Sequence, residues 1–461
     1  MQLVPKLSKH TEQLNNMGAS AKPVMTISSQ VDVDAIPASD AHHDNTWYNQ
    51  DFDGYRISEH PIYEKRQVRI VCVGAGAAGL QLAYKAERAL ENVDLRIYEK
   101  NDDVGGTWLE NRYPGCTCDI PSHSYQFTWN RNPNWSAYYA SAPEIWQYFK
   151  DTATKFDLEK YVLFKSSVKG AVWDEESSQY KLKILGPDGS VFDDHCDILV
   201  SGSGVLNSWK WPSIPGIDLF TGKMMHSAAW DNEYDLTGKI VAVIGGGSSA
   251  VQVVPAIQPK VKKLFAFVRS PVWVTTGFGA KHAGPGGTNF QYSEEQKKKF
   301  NEDPAAYYQY CRDVEGELNK RFTLMHTKGK DQKASRDLIA GIMSERLGEN
   351  EALKKHIIPE FALGCRRMTP GAAYLESLNE HNVEPIHKGV SRLTQTGVVD
   401  DDGVEHEVDV IICATGFDTS FTPHFKLVGR QGIDIKEQFG DFPKSYLGVT
   451  VPNFPNFFRE C

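Results

Sequence analysis

Apolar residues recur along this chain in one pattern that is used twice. Val68–Val73 (VRIVCV) is a short run rich in β-branched residues, as expected of a strand buried on both faces. A glycine-rich loop follows at once, Gly74-Ala75-Gly76-Ala77-Ala78-Gly79. A helical pattern then runs from Leu80 to about Leu90, and a second apolar strand covers Val93–Tyr98. From Val168 the period changes to two. KGAVWD and YKLKIL alternate, and Asp188-Gly189 after Pro187 marks a tight hairpin. Asp197–Ser201 returns as an apolar strand that ends in Gly202-Ser203-Gly204. Downstream the order repeats: Ile240–Ile244, then Gly245-Gly246-Gly247-Ser248-Ser249-Ala250, then Leu264–Val268. A polar meander at Val390–Glu407 with an Asp402-Gly403 turn leads into Asp409–Cys413 and Ala414-Thr415-Gly416. A unit that occurs twice predicts an α/β protein with two Rossmann-like, doubly wound modules.

The boundaries follow from these units. Residues 1 to 60 are polar and aperiodic and predict a partly disordered leader. Residues 61–208 form the first part of one module, 209–236 a connection, and 237–413 the second module. Within the second module an insertion of about 280–358 starts glycine-rich and becomes charged and helical (SEEQKKKF, RDLIAGIMSERL), which predicts a helical cap on that module. Residues 414–461 return to the first module. Pro255 lies two turns into the helix after the second glycine loop and predicts a kink there.

A glycine loop between a strand and a helix presents backbone amides to a pyrophosphate. Gly74, Gly76, Ala77, Ala78 and Gly79 form the first such cradle, and Gly245, Gly247, Ser248, Ser249 and Ala250 the second. One position separates them. The first module places Glu99 at the end of its second strand, where an acid accepts hydrogen bonds from a ribose. The second places Arg269 there, followed by Ser270. An acid repels a 2′-phosphate and a guanidinium pairs with it. The first cradle therefore suits FAD and the second suits NADPH over NADH. A further loop, Gly105-Gly106-Thr107-Trp108, brings two more glycines that let backbone approach a phosphate.

Composition narrows the classes. At 461 residues the chain suits two or three domains, and 41% hydrophobic with 24% charged residues is ordinary for a globular protein. A net charge of −9 without a basic tract argues against a nucleic-acid partner. No apolar run approaches the roughly 18 residues of a membrane span, and Met1–His10 lacks the apolar core of a signal peptide, so a cytoplasmic protein is expected. The eight cysteines are dispersed, which favours free thiols. Cys116-Thr117-Cys118 has no second Cys or His pair beside it, so no metal site is expected, and no C-x-x-C follows the first cradle as a disulfide reductase would require.

Phe220 to Asp231 (FTGKMMHSAAWD) lies between the cradles. Together with Gly105–Asp119 it is similar to the two fingerprints of the flavin-dependent Baeyer–Villiger monooxygenases. Phe220, Gly222, His226, Trp230 and Asp231 match F-x-G-x-x-x-H-x-x-x-W-[PD]. Gly105, Gly106, Trp108, Tyr113, Pro114, Gly115 and Asp119 match [AG]-G-x-W-x-x-x-x-[FY]-P-[GM]-x-x-x-D. The resemblance covers roughly Arg66 to the end. Glu59-His60-Pro61 and Gly364–Val383 look most like fungal enzymes of secondary metabolism.

The resemblance implies a glutathione-reductase-like flavoprotein that uses FAD and NADPH with O2 and a small-molecule ketone, giving an ester or lactone. It implies that Arg367 is the active-site arginine, that Asp119 pairs with it, and that Arg366 helps bind the 2′-phosphate. Gly106, Thr107, Trp108, Asp119 and Tyr125 are implied to line the FAD site. His226 is implied to serve domain rearrangement, with Phe220, Gly222 and Trp230. Family members continue from a stretch like Asn453–Phe458 into a segment that completes the FAD domain, so that piece is expected to be missing here. Two alternatives stay open on the same scaffold: a nitrogen- or sulfur-oxygenating flavin monooxygenase, against which Trp230 argues, and an inactive truncated flavoprotein.

Overall fold

A computed structural model describes residues 64–459, and the expected leader lies outside them. β1 (Val68–Val73), α1 (Ala77–Ala89), β2 (Val93–Tyr98), α2 (Thr107–Glu110), α3 (Ala142–Lys155) and β3 (Val162–Leu163) open the chain. β4 (Ser167–Asp174), β5 (Gln179–Leu185) and β6 (Val191–Cys196) form the antiparallel meander, and β7 (Ile198–Ser201) closes the unit. β8 (Lys223–His226), β9 (Ile240–Ile244), α4 (Ser248–Ile257), β10 (Lys263–Phe267) and β11 (Val274–Thr275) follow. The insertion holds α5 (Glu294–Glu302), α6 (Pro304–Asn319), α7 (Lys330–Arg346) and α8 (Glu351–Ile357). Then come β12 (Thr369–Pro370), α9 (Ala372–Ser377), β13 (Val383–Ile386), β14 (Val390–Leu393), β15 (Gly397–Asp400), β16 (Glu405–Glu407) and β17 (Val410–Cys413). β18 (Lys426–Val428), α10 (Ile435–Phe439) and β19 (Phe457–Arg459) end the described chain.

Two five-stranded parallel sheets organise these elements, in the orders β19-β7-β1-β2-β3 and β13-β10-β9-β17-β8. Their central strands are buried on both faces, as their unbroken apolar runs require. The orders show where the repeat is broken. The first sheet takes its fifth strand from the far end of the chain, and the second takes its own from β8, at the start. Lys223–His226, expected as part of a connection, is thus an edge strand paired with β17. Its KMMH sequence has too few apolar residues to be read as one.

The insertion also differs from the expected cap on one module. Tyr292 of the insertion and Val314 of α6 belong to the core of the first sheet, with Phe300 and Tyr310 packed against it. Met343, Leu347, Leu353 and Ile357 belong to the core of the second. The insertion therefore straddles both modules. Pro255, where a kink is expected, lies inside α4, which continues to Ile257. Among the described residues no helix is long and apolar enough to cross a membrane.

Candidate functional site

The first cradle is shaped by contacts that only glycine allows. Gly74 has φ +105°, and a Cβ there would lie 2.7 Å from the Gly202 carbonyl oxygen. Gly79 starts α1 so close to β1 that a Cβ would sit 2.1 Å from the Gly74 oxygen. No side chain caps α1 at Gly76, which leaves its first amides, at Ala77 and Ala78, for a ligand. The Gly105 N–H donates to the Ala75 carbonyl at 3.2 Å, and a Cβ on Gly106 (φ +53°) would approach the Gly76 Cα to 3.1 Å. The Gly105-Gly106 loop, with Thr107 and Trp108 beyond it, is thereby brought against the first cradle. Glu99 lies beneath both, 4% exposed, accepting from the Ala75 N–H at 2.7 Å and the Asn101 N–H at 2.9 Å. Burial holds its carboxyl above the usual range, while these two bonds oppose the shift. Each carboxylate oxygen keeps a second lone pair, which fits a ribose hydroxyl. Trp108 donates its indole N–H to the Tyr125 hydroxyl at 3.0 Å.

The second cradle repeats this design. Gly245 (φ +129°) lies where a Cβ would meet the Ala414 oxygen at 2.3 Å, and Gly247 faces open space ahead of α4. Ser248, Ser249 and Ala250 form the first turn of α4, and the Ser248 and Thr369 hydroxyls are 3.0 Å apart. Arg269 and Ser270 leave the end of β10. The Arg269 side chain is exposed and makes no hydrogen bond or ion pair among the described residues. Both cradles thus fit a dinucleotide on steric grounds, and only the second offers an unpaired cation at its ribose end.

Between them lies the loop Tyr113–Asp119, tied down on α4. Tyr113 donates to Gln252 Oε1 at 2.8 Å, and Gln252 Nε2 donates to the Thr117 carbonyl at 3.0 Å. Gly115 (φ +81°) touches the helix where a Cβ would lie 2.7 Å from the Gln252 oxygen. The loop ends at Asp119, whose Oδ2 accepts from the Arg367 guanidinium at 3.1 Å. Burial raises the Asp119 carboxyl and Arg367 opposes the rise. Arg366 is exposed, 5.5 Å from the Phe361 ring. Cys116 and Cys118 are buried free thiols, raised by burial to about 11 and about 12, so neither is a nucleophile. No sequence motif singles out Gln252. Its place one turn after Ser248 marks the helix face, but nothing in the chain names its partner.

The structure accounts for the other fingerprint residues by packing. His226 is fully buried, stacked on Trp209 at 4.6 Å and edge-on to Trp211 and Phe417. Its Nδ1 accepts from the Ala228 N–H at 3.1 Å, so the proton sits on Nε2, which donates to the Thr415 hydroxyl at 3.3 Å. Burial lowers its pKa, and both nitrogens are engaged. Gly222 packs where a Cβ would come within 2.5 Å of the Asp409 oxygen, Phe220 against the meander core, and Trp230 against the second sheet's core. Lys223 pairs with Asp231 across this segment.

The family described as an NAD(P)-binding Rossmann-like domain matches residues 72–142. The FAD-binding monooxygenase tazF of Aspergillus terreus is 45% identical over 401 residues, covering 86% of this chain and 71% of the relative. A Baeyer–Villiger monooxygenase of Pseudomonas aeruginosa is 32% identical over 394 residues, covering 85% of this chain and 72% of the relative. The chain belongs to the flavin-dependent Baeyer–Villiger monooxygenases. This monooxygenase is similar to a relative named for FAD binding and to solved structures that hold NADP+ or FAD with NADP. Its fold matches the crystal structure of cyclohexanone monooxygenase from Rhodococcus bound to NADP+, with TM-score 0.73 and 29% identity over 85% of this chain and 79% of that one.

Proposed function

We propose that this monooxygenase inserts one oxygen atom of O2 beside a ketone carbonyl, giving an ester or lactone. The observation that carries the reading is the Arg367–Asp119 pair. Asp119 ends the loop that runs from the first cradle, and Arg367 lies two residues before Thr369, which meets Ser248 of the second. A cation held between an FAD-type and an NADPH-type cradle stands where oxygen chemistry would take place. The FAD cradle would be formed by Gly74–Gly79, Glu99 and Gly106–Trp108 with Tyr125, and the NADPH cradle by Gly245–Ala250, Arg269, Ser270 and Arg366. When bound, FAD reduced by NADPH would supply the activation of O2.

The remaining work falls to the chain's own groups. As oxygen adds to a ketone, the carbonyl oxygen gains negative charge, and Arg367 stabilises it. A guanidinium has five N–H donors and does not give up a proton, so it serves as a fixed charge and not as an acid. Asp119 takes one of those donors and orients the rest. His226 is kept out of proton transfer by its two internal hydrogen bonds. The intermediate of a fungal secondary-metabolite pathway is the substrate class we favour, supported by the Gly364–Val383 sequence and by the similarity to the Aspergillus relative.

The test is a reaction of FAD-loaded protein with NADPH, a panel of cyclic ketones and thioethers, and isotopically labelled O2. One labelled oxygen in an ester or lactone is the expected result. NADPH oxidation that yields only hydrogen peroxide with every ketone, or a sulfoxide alone, would overturn the proposal.

A further inference from the structure

The turn after β10 carries Arg269 and Ser270, and consecutive residues of α8 and its end hold it at both sides. On one side His356 Nε2 lies 2.6 Å from the Val268 carbonyl oxygen. A carbonyl only accepts, so Nε2 bears the proton and donates. On the other side the Val272 N–H donates to the Ile357 carbonyl at 3.3 Å. The Val268 N–H donates to Ile386 at 2.9 Å, so Val268 is fixed through both its amide and its carbonyl. The Arg269 stem runs beside Gly389, where a Cβ would come within 3.3 Å of Cδ. Behind His356 lies His387, with ring centroids 4.0 Å apart and planes 37° apart. Burial and the neighbouring imidazole lower His387 to about 4, so it is a neutral backing ring.

We propose that His356 is a positioning residue for nucleotide discrimination: it fixes the direction in which Arg269 leaves the turn and so favours NADPH over NADH. The proposal rests on reading Arg269 as the contact for the 2′-phosphate. A guanidinium pairs with phosphate through two parallel bonds only when its plane and approach are right. A loosened turn therefore weakens the 2′-phosphate contact and leaves the rest of the nucleotide, bound at Gly245–Ala250, unaffected. The helical insertion thereby contributes to cofactor choice without touching the cofactor.

The experiment is calorimetric titration of the FAD-loaded enzyme with NADP+ and with NAD+. His356→Ala is expected to weaken NADP+ binding about three- to tenfold, as one net hydrogen bond would, with NAD+ within about twofold of wild type. His356→Gln places an amide N–H at the same carbonyl and is expected to restore NADP+ binding to within about twofold. Arg269→Ala serves as the reference and should collapse the preference. If it does and His356→Ala weakens both nucleotides equally or neither, the staple is overturned while Arg269 keeps its role. If Arg269→Ala leaves the preference intact, that role fails and the proposal falls with it. Should the alanine variant not fold, His356→Leu against His356→Gln makes the same comparison, a filled site without and with the donor; equal preferences in the two would overturn it.

Discussion

Unequal consequences are expected from removing the two halves of the Asp119–Arg367 pair. The carboxylate side chain is 8% exposed and the guanidinium 66%. Asp119→Asn leaves behind a cation that water already solvates, so it should cost about 0–1 kcal/mol, as for an exposed ion pair. Arg367→Ala strands a buried carboxylate that has no other hydrogen-bond donor among the described residues, which should cost about 1–3 kcal/mol. Dependence on pH separates the two further. Burial holds the Asp119 carboxyl above its usual range and Arg367 opposes this. A carboxyl with a raised folded pKa binds its proton more tightly when folded, so stability is lost as pH rises from the unfolded value of about 3.9 through the folded one. Without Arg367 the folded value moves higher, and each further unit adds about 1.4 kcal/mol of loss at pH values above it. Asn does not titrate, so this contribution vanishes. The assay is denaturant unfolding of FAD-loaded protein between about pH 5 and about pH 8. The gap between Arg367→Ala and wild type should widen as pH rises. A gap that shrinks, or an Asp119→Asn loss as large as that of Arg367→Ala at pH 8, would refute the reasoning.

Other substitutions probe the frame around this pair. Gly106→Ala puts a Cβ at φ +53° and 3.1 Å from Gly76, so the purified protein should lose flavin absorbance; an unchanged flavin-to-protein ratio would contradict the cradle. Tyr113→Phe removes the 2.8 Å bond to Gln252 and should cost about 0.5–1.5 kcal/mol, read as a lowered thermal midpoint, with the Tyr113→Phe/Gln252→Leu double variant less than additive. His123 is buried among Tyr292, Phe300, Tyr307 and Tyr310 and lowered to about 3. A base with a depressed folded pKa loses stability as pH falls from its unfolded value of about 6.5 toward the folded one, by about 1.4 kcal/mol per unit. His123→Phe should flatten the acid side of the stability profile, and an unchanged slope would place the acid sensitivity elsewhere.

What could be read in the chain was what local pattern encodes. Val68–Val73 and Ile240–Ile244 announce buried strands by composition, and the glycines after them announce tight turns. The strand pattern locates Glu99 just after β2, but its bonds to Ala75 and Asn101 depend on how two loops meet, which no local pattern encodes. β8 is not legible in the sequence because an edge strand needs only one buried face and its partner, β17, is distant in the chain. The straddling of the insertion was hidden for a related reason. A helix pattern gives the apolar face but not which of two cores receives it, and the rings around His123 all come from residues 292–310, far from it in sequence.

The placement of β19 bears on how the protein is made. β19 hydrogen-bonds to β7, so the first sheet lacks an edge until residues 457–459 have been synthesised. The second sheet draws its strands only from residues 223–413. Emerging from the ribosome, the downstream module can therefore complete its sheet while the upstream one still waits with β7 unpaired on one side. During that interval an open strand edge is exposed to wrong partners. Stalling translation once residue 413 has emerged from the ribosome, but before residue 457 has, should yield a chain whose second module resists protease while the first remains sensitive.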